Sequence, residues 1–117
     1  MTNRYTCAVF ALLALAGCAS DPAPTEQLRL TEQALTQAKA VGANEQVAEL
    51  QLAEDKLQQA QAAMADKAYK DARVLAEQAE LDARLAEARV LTEKSQEQLA
   101  ELNKRIDRLR RQLGDLQ

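Results

Sequence analysis

Apolar residues recur every three or four positions through most of this 117-residue chain. That period is typical of amphipathic helices, and no run alternates apolar and polar residues as a strand would. A first helix is predicted at about 26–41, with Leu28, Leu35 and Ala38 on one face. A second is predicted at about 45–65, and its apolar face carries Val47, Leu50, Leu57, Ala60 and Met64.

A third and much longer helix is predicted at about 69–114. Its first half presents small residues at helical spacing, namely Ala72, Leu75, Ala76, Ala79, Ala83 and Ala86. Small side chains allow two helices to approach closely. Because short connections make neighbouring helices antiparallel, we expect this stripe to pack against the second helix as a hairpin.

The last part of the third helix has a different pattern. Six aliphatic residues, which we call the seam, are spaced by 3, 4, 3, 4 and 3 positions: Leu99, Leu102, Ile106, Leu109, Leu113 and Leu116. This is the heptad spacing of a coiled coil. Extended backward the register meets Ser95 and Thr92, so the seam covers about two and a half heptads, fewer than the usual three to four.

Helix lengths suggest that the seam is left uncovered by the hairpin. The third helix would be about 68 Å long and the second about 32 Å, at 1.5 Å per residue. The C-terminal half therefore overhangs unless the first helix or another chain covers it. The predicted fold is all-α, either a helical hairpin or a three-helix arrangement, with a long C-terminal helix that ends in a short coiled-coil seam.

Helix ends are predicted from local signals. Thr25 is a candidate N-cap for the first helix and Asn44 for the second, because their side-chain oxygens can accept hydrogen bonds from unpaired amides of a first turn. Gly42 interrupts the pattern between these helices. The chain is expected to turn around Asp66 and Lys67.

The N-terminal residues have the layout of an export signal. Arg4 precedes ten apolar residues, too few to span a bilayer as a helix. The run closes with Leu15, Ala16, Gly17 and Cys18, which resemble a bacterial lipobox. The resemblance implies removal of residues 1–17 and acylation of Cys18, with palmitate among the expected chains. An ordinary signal peptide with a chance cysteine is the alternative.

The predicted organisation is thus a signal peptide at 1–17, an acylated cysteine and flexible tether at 18–25, and a helical domain at 26–117. Loss of Arg4 would change the net charge from −3 to −4, which does not suggest a nucleic-acid-binding protein. Cys7 would leave with the signal and Cys18 would be a thioether, so no disulfide is expected. Ala19 rather than Asp follows the cysteine, which by resemblance to sorted lipoproteins favours the outer membrane, periplasmic face.

Residues 38–90 resemble a family of short, alanine-rich proteobacterial envelope lipoproteins of unknown function. The resemblance rests on the residues Ala40-Val41-Gly42-Ala43, on 50–63, and on Ala68-Tyr69-Lys70-Asp71-Ala72 with the residues that follow. Relatives of this family also occur ahead of OmpA-like peptidoglycan-binding domains. The turn is similar to that of a tetratricopeptide unit, although Lys67 stands where that unit has glycine. The family implies an envelope location and no known activity.

Candidate catalytic chemistry is sparse in the sequence. The chain has no histidine, and its serines after the signal, Ser20 and Ser95, lie in the tether and on a helix surface. Glu54 and Asp55 are adjacent in sequence and would point different ways on a helix. We therefore expect no enzyme, no metal and no cofactor beyond the covalent lipid on Cys18.

Five basic residues flank the seam near the C-terminus: Lys104, Arg105, Arg108, Arg110 and Arg111. We call them the basic cluster. They can simply complement the helix dipole and pair with Glu101 and Asp107 at i,i+4. Alternatively they contact an anionic partner, such as cell-wall polymer without a covalent bond, phospholipid headgroups or an acidic protein face.

Two classes of function remain open. The first is a membrane-anchored structural or scaffolding lipoprotein that self-associates or binds an envelope partner through the seam. The second is a regulatory binding module that docks on a periplasmic enzyme or transport assembly. Nucleic acid is excluded by the expected compartment.

Overall fold

The computed structural model describes residues 21–114, and within this range the chain forms three α-helices. They are α1 (Thr25–Ala40), α2 (Ala48–Ala65) and α3 (Tyr69–Gly114), and there is no strand among the described residues. The prediction of an all-α fold with a long C-terminal helix is confirmed. Cys18, the lipobox residues Leu15, Ala16 and Gly17, and Leu116 of the seam lie outside the described residues.

The helices pack as a three-helix arrangement rather than a two-helix hairpin. α2 runs antiparallel to α3, since Arg89 donates to Glu49 at 2.9 Å and Lys56 to Asp82 at 2.6 Å. α1 also lies against the first half of α3, and these two helices are parallel. Near the start of both, Arg73 donates to the Pro22 carbonyl oxygen at 3.2 Å.

Small side chains dominate the packing of α3 against the other two helices. Six residues of α3, which we call the inner stripe, are almost fully buried: Ala72, Ala76, Ala79, Ala83, Ala86 and Val90. Leu35 of α1 and Leu50 of α2 are buried with them. Leu75, which the sequence analysis placed in this stripe, is only half-buried. The stripe instead keeps strict heptad spacing with small residues, because α1 and α2 both approach it closely.

α1 and α2 end in the same type of backbone turn. The Ala43 amide donates to the Ala38 carbonyl, and the Ala68 amide donates to the Ala63 carbonyl, both at 2.9 Å. This is the Schellman motif, in which the residue before the donor adopts positive φ. Gly42 has φ 109° and Lys67 has φ 60°. Lys67 therefore takes, at the predicted turn, a conformation that usually favours glycine.

Both predicted N-caps are wrong. The Pro24 carbonyl accepts the first hydrogen bond of α1 from the Leu28 amide at 3.0 Å, so Thr25 is already helical. Asn44 Oδ1 does accept from the Gln46 amide at 2.9 Å, but this bond closes a separate turn. Because Val47 is extended at φ −90° and ψ 104°, α2 begins only at Ala48.

Candidate interaction surface

α3 leaves the bundle shortly after Val90. Lys94 Nζ donates to the Val41 carbonyl oxygen at 2.5 Å, where the turn between α1 and α2 meets α3. Every residue from 91 to 114 is exposed, and these residues are all helical. We call residues 91–114 the extension. It is about 36 Å long at 1.5 Å per residue.

The five seam residues that the structure describes lie along this extension and are open to solvent. Their side chains are 44–65% exposed, the values being 60% for Leu99, 51% for Leu102, 44% for Ile106, 58% for Leu109 and 65% for Leu113. α1 does not fold back over it, because α1 packs beside the first half of α3. A row of exposed aliphatic side chains of this kind marks an interaction site more often than a scattered single residue does.

The basic cluster is partly neutralised by its own helix. Arg105 donates to Glu101 at 3.0 Å, as the i,i+4 spacing predicts. The expected ion pair between Asp107 and Arg111 does not form. The Asp107 carboxylate lies 3.8 Å from the Arg110 guanidinium, and Arg111 donates instead to the main-chain carbonyl oxygen of Asp107.

Two members of the cluster, Lys104 and Arg108, form no ion pair within residues 21–114. They nevertheless act on Glu101. The hydrogen bond and charge of Arg105, with smaller effects of Lys104 and Arg108, hold the pKa of Glu101 below its usual range. The carboxylate is therefore ionised at neutral pH. The flank of the seam carries both signs of charge.

Two leucines that sequence reasoning missed are also exposed, on the outer side of the bundle. Leu81 is 66% exposed and Leu85 is 54% exposed. They lie within the alanine-rich half of α3, where the buried alanines gave the stronger periodic signal. In the sequence they lie 14 and 10 residues before Ser95, in the same heptad register as the seam, and this spacing could have indicated them.

Within residues 21–114, no group of three or more His, Cys, Asp or Glu side chains could hold a metal ion. No helix in this range is long and apolar enough to cross a membrane. Over the same residues, the seam forms a row of exposed aliphatic side chains on α3. Its residues are suited to helix-on-helix docking, in which anchors recur at i, i+3, i+4 and i+7.

The fold defines a class of protein: a short three-helix bundle whose last helix projects well beyond it. Comparison with known proteins gives the family. DUF4398, described as a domain of unknown function, matches residues 26–102, and the chain belongs to this family. The match extends beyond residues 38–90, which carry the sequence resemblance to the family.

A solved structure supports the same assignment. A crystal structure of a DUF4398 family protein from Pseudomonas aeruginosa PAO1 is 67% identical to this chain, with a TM-score of 0.79. The alignment covers 82% of this chain and 100% of that one. The expected kinship with a proteobacterial family of unknown function is confirmed. No curated protein matches the chain.

Proposed function

We propose that this chain is a lipoprotein of the cell envelope, anchored through Cys18 to the periplasmic face of the outer membrane, with a structural or scaffolding role. It binds a second chain or another envelope protein through the seam. The observation that carries the proposal is the position of the seam: five aliphatic residues exposed on an extension that nothing in the bundle covers.

The geometry suits an anchored protein. Pro22 lies beside Arg73, so the chain reaches the bundle at the end where α2 turns into α3. The extension leaves the bundle at the opposite end. From Arg73 to Gly114 the helix spans about 62 Å at 1.5 Å per residue. An anchor at Cys18 would therefore hold one end, while the seam stays about 40–60 Å away along the helix axis.

The lipid would supply the attachment. Each buried methylene contributes about 0.8 kcal/mol, and two or more acyl chains hold a protein stably on a bilayer whereas one does so only marginally. The proposed role is not catalytic, and the lipid on Cys18 is the only attached group it needs. Non-covalent contact of the basic cluster with anionic cell-wall polymer is compatible with it.

The anchor is tested with the two cysteines of the chain. Cys18→Ala should abolish labelling by radioactive palmitate and leave an unprocessed or soluble form, since the acylated thiol is lost. Cys7→Ala is the matched control, because Cys7 lies in the segment expected to be removed. Separation of inner and outer membranes should place the parent protein in the outer fraction. Unchanged labelling and fractionation of Cys18→Ala would contradict the anchor.

A further inference from the structure

α3 carries a second heptad row on the face opposite the inner stripe. Ten exposed residues, which we call the outer stripe, each follow the previous one by four or three positions: Leu81, Leu85, Ala88, Thr92, Ser95, Leu99, Leu102, Ile106, Leu109 and Leu113. Within the bundle, each lies two residues after a member of the inner stripe. Two residues correspond to about 200° around a helix, so the stripes face opposite sides.

The outer stripe is longer than the seam alone. From Leu81 to Leu113 it spans about 48 Å and four and a half heptads, which exceeds the three to four heptads typical of a coiled coil. α1 and α2 cover the opposite face of α3. A further helix can therefore lie along the whole stripe without displacing the bundle.

Two polar residues in the middle of the stripe are compatible with burial. Thr92 Oγ1 donates to the Ala88 carbonyl oxygen at 2.7 Å, and Ser95 Oγ donates to the Leu91 carbonyl oxygen at 2.8 Å. Both hydroxyl protons are thus used within the helix. A buried polar group is costly mainly when it lacks a hydrogen bond, and these two do not lack one.

The stripe is complementary to itself in the antiparallel direction. About a two-fold axis between Thr92 and Ser95, eight residues of one copy face those of the second in apolar and polar pairs: Leu81 with Ile106, Leu85 with Leu102, Ala88 with Leu99, and Thr92 with Ser95. Leu109 and Leu113 then face the exposed residues Gln78 and Val74 of the second copy. A shift by one heptad in either direction would set Ser95 against a leucine. The two polar residues therefore specify this register, as buried polar residues do in coiled coils.

Packing favours this direction over a parallel pair. In a parallel pair in register, Ala88, Thr92 and Ser95 would each face their own copy, which makes three consecutive layers of small side chains. In the antiparallel pair the long Leu99 side chain fills the space beside Ala88. Large residues set against small ones fill a helix interface better than small against small.

The flanking charges point the same way. A parallel pair would bring Arg84 near Arg89 of the second copy, and Arg105 near Arg110 of the second copy. Because each contact occurs twice in a symmetric dimer, this makes four like-charge contacts. Antiparallel heptads bring only Arg84 near Arg105, two such contacts. Arg84 is already paired with Glu80, and Arg105 with Glu101, within each helix. Fewer repulsive contacts between flanking positions favour one orientation over another.

We propose that the outer stripe is the interface with a second copy of this chain, packed antiparallel about a two-fold axis between Thr92 and Ser95. This deepens the proposed function and rests on its self-associating form, since it names the occupant of the seam. The bundle of each copy then supports the extension of the other. The two N-terminal tethers leave the dimer about 60 Å apart, so a dimer with both anchors in one membrane lies along its surface.

Cysteine pairs test the orientation directly. The starting protein is the full chain with Cys7→Ser and Cys18→Ser, which we call the thiol-free chain. It is kept in mild detergent. Leu85→Cys and Leu102→Cys are introduced together and, as controls, singly. Both leucines are exposed, at 54% and 51%, so the bundle should be unaffected. Within one chain the two positions are about 26 Å apart, and a disulfide needs Cα atoms within about 7 Å.

Mild oxidation should shift the double variant to twice the chain mass of 12.9 kDa on a non-reducing gel, while each single variant stays monomeric. A second double variant, Leu85→Cys with Ala100→Cys, moves one thiol to the opposite face and should not crosslink. Crosslinking of Leu85→Cys alone would overturn the antiparallel orientation. No crosslinking in any variant would overturn the dimer. Because the thiol-free chain cannot be acylated, neither result depends on the membrane anchor.

Discussion

The hydroxyl oxygen of Thr31 lies 2.8 Å from the main-chain carbonyl oxygen of Ala76, in the interface between α1 and α3. The same hydroxyl is 2.9 Å from the Gln27 carbonyl oxygen, so its one proton is shared between the two acceptors. Thr31 is fully buried. The small side chain of Ala76, which is itself fully buried, allows this close approach to the backbone of α3. This polar contact fixes the position of α1 along the axis of α3.

Replacing Thr31 by valine should destabilise the bundle by about 1–2 kcal/mol, because the hydrogen bond is lost and a methyl group replaces an oxygen against a carbonyl. Thr36→Val is the matched control. Thr36 is exposed and donates only to the Glu32 carbonyl of its own helix. Urea unfolding followed by circular dichroism measures both variants. Equal midpoints for the two would show that the contact with Ala76 does not contribute.

Ala79 should not tolerate a larger side chain. It is fully buried in the inner stripe, so Ala79→Leu should overpack the bundle at a cost of about 1–3 kcal/mol. Ala100 occupies the same heptad row three heptads later, on the extension, and is exposed. Ala100→Leu should therefore leave the melting temperature nearly unchanged. A similar loss in both variants would mean that the bundle covers more of α3 than the structure shows.

Lys67→Gly should stabilise the protein by up to about 1 kcal/mol. A left-handed backbone costs about 1–2 kcal/mol in a residue with a Cβ, and glycine avoids this although its unfolded state is more flexible. Gly42→Ala should have the opposite effect, since φ is 109° and the new Cβ would lie 3.2 Å from Lys94 Nζ. Thermal melts compare both variants with the parent. A lower melting temperature for Lys67→Gly would contradict the observed turn.

The stability of the bundle should fall at acidic pH, in part through Glu80. Hydrogen bonds from Arg84 and from Gln27 of α1 lower the pKa of Glu80 below its ordinary value. A depressed pKa stabilises the folded state at pH values above about 4.5, and this contribution is lost as the pH falls through the folded pKa. Glu80→Gln should therefore show a weaker decline in melting temperature below pH 4.5 than the parent. A decline as steep as that of the parent would show that Glu80 does not contribute.

The buried half of α3 was predictable, because alanines at heptad spacing form a narrow face that favours close packing against another helix. The three helices follow from the period of apolar positions, and Gly42 correctly marks the first turn. The outer stripe was not predictable in full, because Thr92 and Ser95 interrupt its apolar pattern. Only the structure shows that their hydroxyls bond within the helix.

Lys67 illustrates a second limit of the sequence. A lysine gives no local signal for a left-handed backbone, and its φ of 60° results from the Schellman turn that closes α2. The N-caps failed for a related reason. Pro24 and the turn at Asn44 set the helix starts through main-chain hydrogen bonds, Leu28 to Pro24 and Val47 to Asn44, that side-chain preferences do not reveal.

The central claim is that the outer stripe of α3 is an interface between two copies of this chain, and Ile106→Asp tests it most directly. A carboxylate at the middle of the seam would be buried without a partner on association. Light scattering should give the thiol-free chain twice its monomer mass and the Ile106→Asp variant the monomer mass. Because Ile106 lies on the extension, far from the inner stripe, circular dichroism should show the bundle intact in both. A monomeric parent chain, or an aspartate variant that keeps the parent's mass, would contradict the claim.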